Sequence, residues 1–394
     1  MPGQKQNAGT QERMYWLDNL RTFMVFLVVV LHAGLVYESS GIAGYFWIVD
    51  DPSTNDISGL VNLILDIFVM PTIFLISGFL TPLSLEKRTW LAFVKSRFRR
   101  LMVPWIIAVL TLLPIYKVIF LYSRNLPQEH WSSYFHWSNG IWGQNWLWFL
   151  PILFLFDILY LLVSRTHIDT SKITLKKAIP LVFLSSFAYS VAIDLAGLQG
   201  WTKTILLDFQ NDRLFIYFMI FLAGVLCHRE NIFASRRKSR ALFTIAACTA
   251  WIPVNVYLIL VIYPLINSGN RIFSWAADTL IMRLAFLLSL LSLLYLAVET
   301  FRRYLNRQGR LLRELGRNSY NVYIVHTVVM GGIALLLLNT SISSLMKHFL
   351  LAVFTYATSS LIVYVYRSVG RQIISIGRAL YDHGQSSLRR TSSS

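Results

Sequence analysis

Long apolar stretches follow one another along the chain, and short polar segments between them hold most of its charge. Crossing a bilayer core takes about 20 predominantly apolar residues at roughly 1.5 Å of rise each. Ten stretches are of that kind: 17–37, 57–80, 101–122, 145–163, 178–197, 212–229, 241–265, 276–300, 318–338 and 345–366. The fifth is the least apolar, since it carries Ser185, Ser186 and Asp194. No stretch alternates apolar and polar positions as a barrel strand does. The pattern predicts an all-α fold, a polytopic transmembrane helical bundle of about ten spans with the lipid bilayer as its partner. It divides the chain into an N-terminal segment 1–16, a membrane domain 17–366 and a tail 367–394. The tail is basic and Ser-rich, a composition that predicts disorder. No internal repeat is visible, which counts against a transporter built from inverted repeats.

Composition sharpens this picture. Apolar residues make up 55% of the 394 and charged residues only 14%, which excludes a soluble enzyme as a reading of the whole chain. The net charge of +17 raises nucleic acid as a partner, so the position of the cations has to decide. Of the 36 Lys and Arg, 28 fall in 1–16, 81–100, 164–177, 229–240, 301–317 and the tail, all on one side of a ten-span topology. The alternate connections are nearly bare: 38–56 has no Lys or Arg, and 123–144 has only Arg124. By the positive-inside rule both termini are cytosolic, as an even span count also requires, and the charge needs no nucleic acid to explain it. The first span reads as a signal anchor, because no small-residue cleavage site follows its long apolar run. No lipidation motif stands at either end. Two cysteines, Cys227 and Cys248, make no disulfide framework, and no Cys/His cluster has zinc spacing.

Ionisable side chains inside a span cost about 2.5–3.5 kcal/mol each on insertion scales, so each asks for a reason. In the first span Asp18 and Arg21 are followed by His32. Arg21 and His32 are eleven residues apart. At 100° per residue both lie on one face, separated by roughly 16 Å along the axis. Arg21 reads as an interfacial anchor beside Asp18, or as a functional cation. His32, deeper in the membrane, suits proton abstraction from a hydroxyl near neutral pH. In the ninth span Tyr323 and His326 are neighbours on one face, as interhelical hydrogen-bonding groups or as site residues. The basic run 93–104, with Arg97 and Arg100, is positive-inside flanking or a phosphate-binding lip. Asp66, Asp157, Arg283 and Glu299 are further intramembrane charges. His130, Trp131, His136, Trp137 and Trp142, leading to Trp146 and Trp148, form an interfacial aromatic belt or a sugar-stacking platform.

These residues resemble the integral-membrane acyltransferase-three family, and within it the glucan biosynthesis protein C branch of periplasmic-glucan succinyltransferases. Tyr15 to Arg21 followed by His32 is similar to the family's opening Arg and His separated by ten residues. Phe74-Leu75-Ile76-Ser77-Gly78-Phe79 resembles its Ser-Gly signature, and Arg97 to Pro104 its Arg-x-x-Arg…Pro stretch. Trp148-Phe149-Leu150 and Tyr323 with His326 look like its later elements. One departure stands out: the Asp found in many members six residues before that Ser is Pro71 here, and Asp66 is out of register. The Met70-Pro71 form looks like the glucan-type branch.

The resemblance implies a multi-pass protein of the bacterial inner membrane that transfers an acetyl or succinyl group. The donor would be cytosolic acyl-CoA, a substrate rather than a permanently bound cofactor, and the acceptor a hydroxyl of an extracytoplasmic glycan or similar molecule. Arg21, Arg97 and Arg100 then hold the CoA phosphates. His32 acts as general base, while Tyr323 and His326 orient the donor or stabilise the oxyanion. Asp18, Trp148 and Ser77 are candidate substrate contacts. Ser77 is also a conceivable acyl relay, though no base flanks it in sequence. The competing reading is a proton-coupled transporter that relays protons through His32, His326 and the buried carboxylates.

Overall fold

A computed structural model describes residues 14–40, 47–135, 144–166, 174–233 and 239–391, the side chains of 134–135, 373–374 and 376–391 excepted. Helices dominate it in the order α1 (Tyr15–Tyr37), α2 (Asp56–Leu85), α3 (Trp90–Arg97), α4 (Val103–Ser123), α5 (Phe149–Arg165) and α6 (Leu175–Leu195). An antiparallel hairpin, β1 (Trp201–Lys203) and β2 (Asp208–Gln210), precedes α7 (Leu214–Arg229). The chain continues as α8 (Arg240–Thr249), α9 (Trp251–Ile266), α10 (Trp275–Tyr304), α11 (Arg310–Leu337) and α12 (Ser344–Thr391).

Every apolar stretch read from the sequence forms a helix. Among the described residues, nine helices or helix pairs are long and apolar enough to cross a membrane. Two of them are pairs: α3 runs into α4 through a π-helical turn at Phe98–Met102, and α8 into α9, giving Trp90–Ser123 and Arg240–Ile266. The sixth stretch, 212–229, is the exception. It forms α7, whose 16 residues span about 24 Å against a hydrocarbon core of about 30 Å. The backbone of α12 continues as helix to Thr391, through the tail whose composition predicts disorder. Polar side chains start several helices: Asn55, Thr89, Ser239 and Ser274 each accept a backbone N–H one turn ahead.

Contacts between connections sort them into two faces. On one, Arg21 of α1 donates to Gly316 O, His228 meets Glu86, and Arg303 donates to Ser239 O. This face collects the basic segments. On the other, Arg124 donates to Trp47 O, Gln144 N to Asp208, and Lys347 pairs with Asp51.

At the centre lies α2, packed on α1, α7, α10 and, through smaller contacts, α5 and α12. Its closest neighbour is α7, and the reason is two glycines. A Cβ on Gly78 would sit 1.9 Å from Phe221 O, and one on Gly224 would sit 2.2 Å from Leu75 O. Backbone therefore touches backbone, the close approach that small residues allow between membrane helices. This gives Gly78 of the Ser-Gly motif a packing role. Neighbouring pairs proceed in step, from Asp66–Arg213 through Gly78–Phe221 to Glu86–His228, so α2 and α7 run in the same direction. The start of α7 is consequently level with Asp66, ten residues and about 15 Å from the start of α2.

Candidate active site

Packing of α1 against α11 brings together two histidines that are 294 positions apart in the chain. His32 Nδ1 lies 2.7 Å from His326 Nε2, with the ring planes within 5° of each other. His326 is fully buried, and His32 is half-buried. The tautomers follow from the partners. His326 Nδ1 lies 2.7 Å from Tyr323 O, and a carbonyl can only accept, so Nδ1 carries a hydrogen. Neutral His326 then presents a lone pair at Nε2, which accepts from His32 Nδ1–H and lies 3.2 Å from the Thr327 hydroxyl. His32 is left with its own lone pair on Nε2, the atom of the pair not engaged by His326. A base held in one tautomer by a second residue is the arrangement proton abstraction requires.

The surroundings hold the pair in place. Trp47 packs its ring 4.8 Å from that of His32. Its segment is anchored three times: Arg124 Nη2 donates to Trp47 O at 3.1 Å, Lys347 Nζ meets Asp51 at 3.0 Å, and Ile48 fills the space left by Gly331. A third intramembrane histidine, His348, is 3.0 Å from Val30 O and 2.8 Å from Ser58 Oγ, bracing α1 two residues from His32. Trp146 Nε1 donates to Ile324 O at 2.9 Å, and the Tyr323 hydroxyl donates to Trp146 O. Tyr323 therefore has its single proton committed to the backbone before α5. It locks α11 to that segment rather than offering a free donor to an oxyanion.

The basic face divides the three arginines. Arg21 Nη2 reaches Gly316 O at 3.2 Å and Asp18 at 3.5 Å. The backbone carbonyl of Arg100 accepts from the Tyr320 hydroxyl at 2.6 Å, and its side chain is exposed. Gly316 and Tyr320 are one turn apart, so Arg21 and the backbone of Arg100 meet neighbouring turns of α11. Ten residues, or about 15 Å, separate Gly316 from His326 along that helix. Arg97 is turned away. Its Nε pairs with the fully buried Asp157 at 3.3 Å, its Nη2 donates to Thr81 Oγ1 at 3.1 Å, and its guanidinium covers Phe93. Ser77 Oγ donates to Ile73 O in its own helix, and no base lies beside it among its bonded partners. Trp148 sits in an aromatic row between Tyr217 and Trp201.

Of the other intramembrane charges marked in the sequence, Asp66, Arg283 and Glu299 each have a counter-ion. Asp66 pairs with Arg213 at 2.7 Å, and Glu299 with Arg302 and Arg303 at 2.8 and 3.0 Å. Arg283 takes Asp194 through two nitrogens and Asp212 through a third, each at 2.6 Å. Outside the spans, burial raises the Asp208 carboxyl above its usual range, against bonds from Gln144 N and Thr204 N. His136, Trp137 and Trp142 lie outside the described residues. Among the described residues no group of His, Cys, Asp and Glu could hold a metal ion.

Sequence reasoning missed Trp47, Lys347 and His348. Trp47 sits in a connection without any helical period, and nothing in the string ties it to His32. Lys347 did carry a signal, as one of the few cations on the cation-poor side. His348 stands at the start of the last span, where a polar residue attracts no notice.

Comparison with known proteins adds one finding. The sequence model of a family described as an acyltransferase domain matches residues 14–366. No protein with a curated description matches the chain, and no solved structure does.

Proposed function

Since the chain belongs to this membrane acyltransferase family, we propose that it moves an acyl group from acyl-CoA to a hydroxyl of an extracytoplasmic glycan, with His32 as general base. The observation that carries the reading is the His32–His326 pair, because it leaves a lone pair on His32 Nε2. On this reading the acceptor hydroxyl gives its proton to Nε2 as its oxygen attacks the thioester carbonyl carbon. The imidazolium formed is stabilised through Nδ1–H by His326 Nε2. Collapse of the tetrahedral intermediate breaks the carbon–sulfur bond, and the departing thiolate takes the proton from His32 to give free CoA. The ester is formed directly, without an acyl-enzyme on Ser77, whose hydroxyl is engaged with Ile73 O.

Two further features support this division of labour. Arg21, bonded to Gly316 of α11, and the exposed Arg100, whose backbone meets α11 one turn on, suit the phosphates of a donor entering from the cytosol. The loading of cations onto that same face supports its being cytosolic. The Met70-Pro71 form favours the glucan-modifying branch, with acetyl or succinyl as the group moved. Bacterial inner membrane is the matching location.

The experiment uses membranes carrying the wild type or His32→Ala, labelled acetyl-CoA or succinyl-CoA, and the host's own glycans. We expect label in the glycan fraction with one of the donors, reduced about 10²–10⁴-fold by the substitution. Equal labelling by folded His32→Ala would remove His32 as the base.

A further inference from the structure

A second cluster lies away from the His pair, where α6 ends and α7 begins. Asp194 is next to last in α6, Asp212 and Arg213 immediately precede α7, and Arg283 is eight residues into α10. With Asp66 they form three carboxylates and two guanidiniums, one net negative charge. Because α6 ends and α7 starts level with the eleventh residue of α2, while α2 and α10 extend past that level, this cluster floors a recess between the first turns of α2 and α10.

Asp66 is the unusual member. Its side chain is 42% exposed, although it lies about 15 Å along the helix from the start of α2. Its partner is Arg213 at the start of α7, so the exposed carboxylate lies on the side of α2 that faces α7. Exposed ionisable groups at such depth line water-filled cavities and mark substrate paths. Arg213 Nη1 occupies Asp66 Oδ2, and among the described residues Oδ1 has no partner. Two fully buried atoms beside it, Arg213 Nε and Asp212 Oδ1, also lack a hydrogen-bond partner among the described residues.

The wall of the recess is aromatic. Trp201 stands at the base of the hairpin, paired with Gln210 three residues before Arg213. Its ring meets that of Trp148 edge-on at 5.6 Å, and Trp148 stacks on Tyr217 at 6.0 Å. Trp201 is 48% exposed, while Trp148 is half-buried and Tyr217 is buried. Asp208 ties the hairpin to the segment before α5, accepting from Gln144 N at 2.6 Å.

We propose that this recess is an acceptor subsite that seats one ring of a neutral oligosaccharide, stacked on Trp201 and bonded through its hydroxyls to Asp66. The inference rests on the acyltransferase reading above. A sugar ring offers apolar C–H faces to an indole and hydroxyl donors to a carboxylate, the pairing of apolar wall and few polar groups found here. The net negative charge disfavours an anionic acceptor. The seated ring is not the one acylated, because the buried rings of Phe74, Phe149 and Tyr323 stand between Tyr217 and His326. The acceptor is accordingly an oligosaccharide.

The test compares wild type, Trp201→Ala, Trp201→Phe and Asp66→Asn in membranes, with labelled donor and the neutral oligosaccharide fraction of the host as acceptor. Trp201 lies on a hairpin surface, so its variants leave the bundle folded even if Asp66→Asn does not. At limiting oligosaccharide, Trp201→Ala is expected to lower transfer about tenfold or more, with Trp201→Phe close to wild type. At saturating oligosaccharide the deficit closes, and the KM for acyl-CoA stays unchanged. An unchanged acceptor KM in Trp201→Ala, or an equal loss at saturation, overturns the subsite and leaves the transferase reading standing. Absence of transfer by the wild type overturns both.

Discussion

At the scale of single residues, the site turns on which nitrogen of each histidine carries hydrogen. The Tyr323 carbonyl decides it for His326, and His326 decides it for His32. Replacing His326 by Leu removes the acceptor of His32 Nδ1–H, so the base loses both its tautomer and its partner. We expect kcat to fall about 10²-fold or more while the KM for acyl-CoA changes little. His326→Gln keeps an oxygen near the Nε2 position and should retain more activity than Leu. Initial rates on the three proteins check this, and equal loss in Gln and Leu would count against a tautomer-setting role. The string of residues made both histidines conspicuous, since each stands alone in an apolar span. It was silent on their contact, because a hydrogen bond between residues 294 apart has no local signature. Arg97 shows the converse. Its neighbours in sequence suggest a phosphate ligand, but Asp157, sixty positions on, draws it into a buried ion pair.

At the scale of elements, the tightest constraint is the α2–α7 contact. Gly78→Ala or Gly224→Ala must push the two backbones apart, because the atoms met are carbonyls that cannot swing away. We expect a loss of about 1–3 kcal/mol, seen as a lower melting temperature in detergent. Gly332→Ala, where a Cβ meets open space, should melt like the wild type. The motif around Ser77 was visible as a pattern, yet its glycine serves packing and its serine bonds its own helix. Helices themselves were legible, since all ten apolar runs became helices, although α11 starts eight residues before its run and α12 continues well past the end of its own. The shortness of α7 was not, because its run of apolar residues looks like the others. Only its position beside α2 reveals the recess above it.

At the scale of the whole molecule, charge and topology belong together. With the basic face in the cytosol, the β1–β2 hairpin faces outward and the α10–α11 connection inward. Lys203→Cys, in a Cys248→Ser background, should react with a membrane-impermeant maleimide on intact cells. Arg313→Cys in the same background should react only after permeabilisation. The reverse pattern would invert the orientation and with it the sides assigned to donor and acceptor. The order of residues was enough to specify the all-α membrane bundle, its approximate spans and the lopsided placement of cations, because these follow from transfer of single residues between water and lipid. It also marked Arg21, His32 and His326 as residues that need a reason. Folding in three dimensions was needed to establish that the two histidines touch, that Trp47 covers one of them, and that Arg97, Asp66, Arg283 and Glu299 are already paired. Contacts of this kind depend on which helix faces pack together, and that is settled by the joint fit of all the helices, which no local stretch of residues encodes.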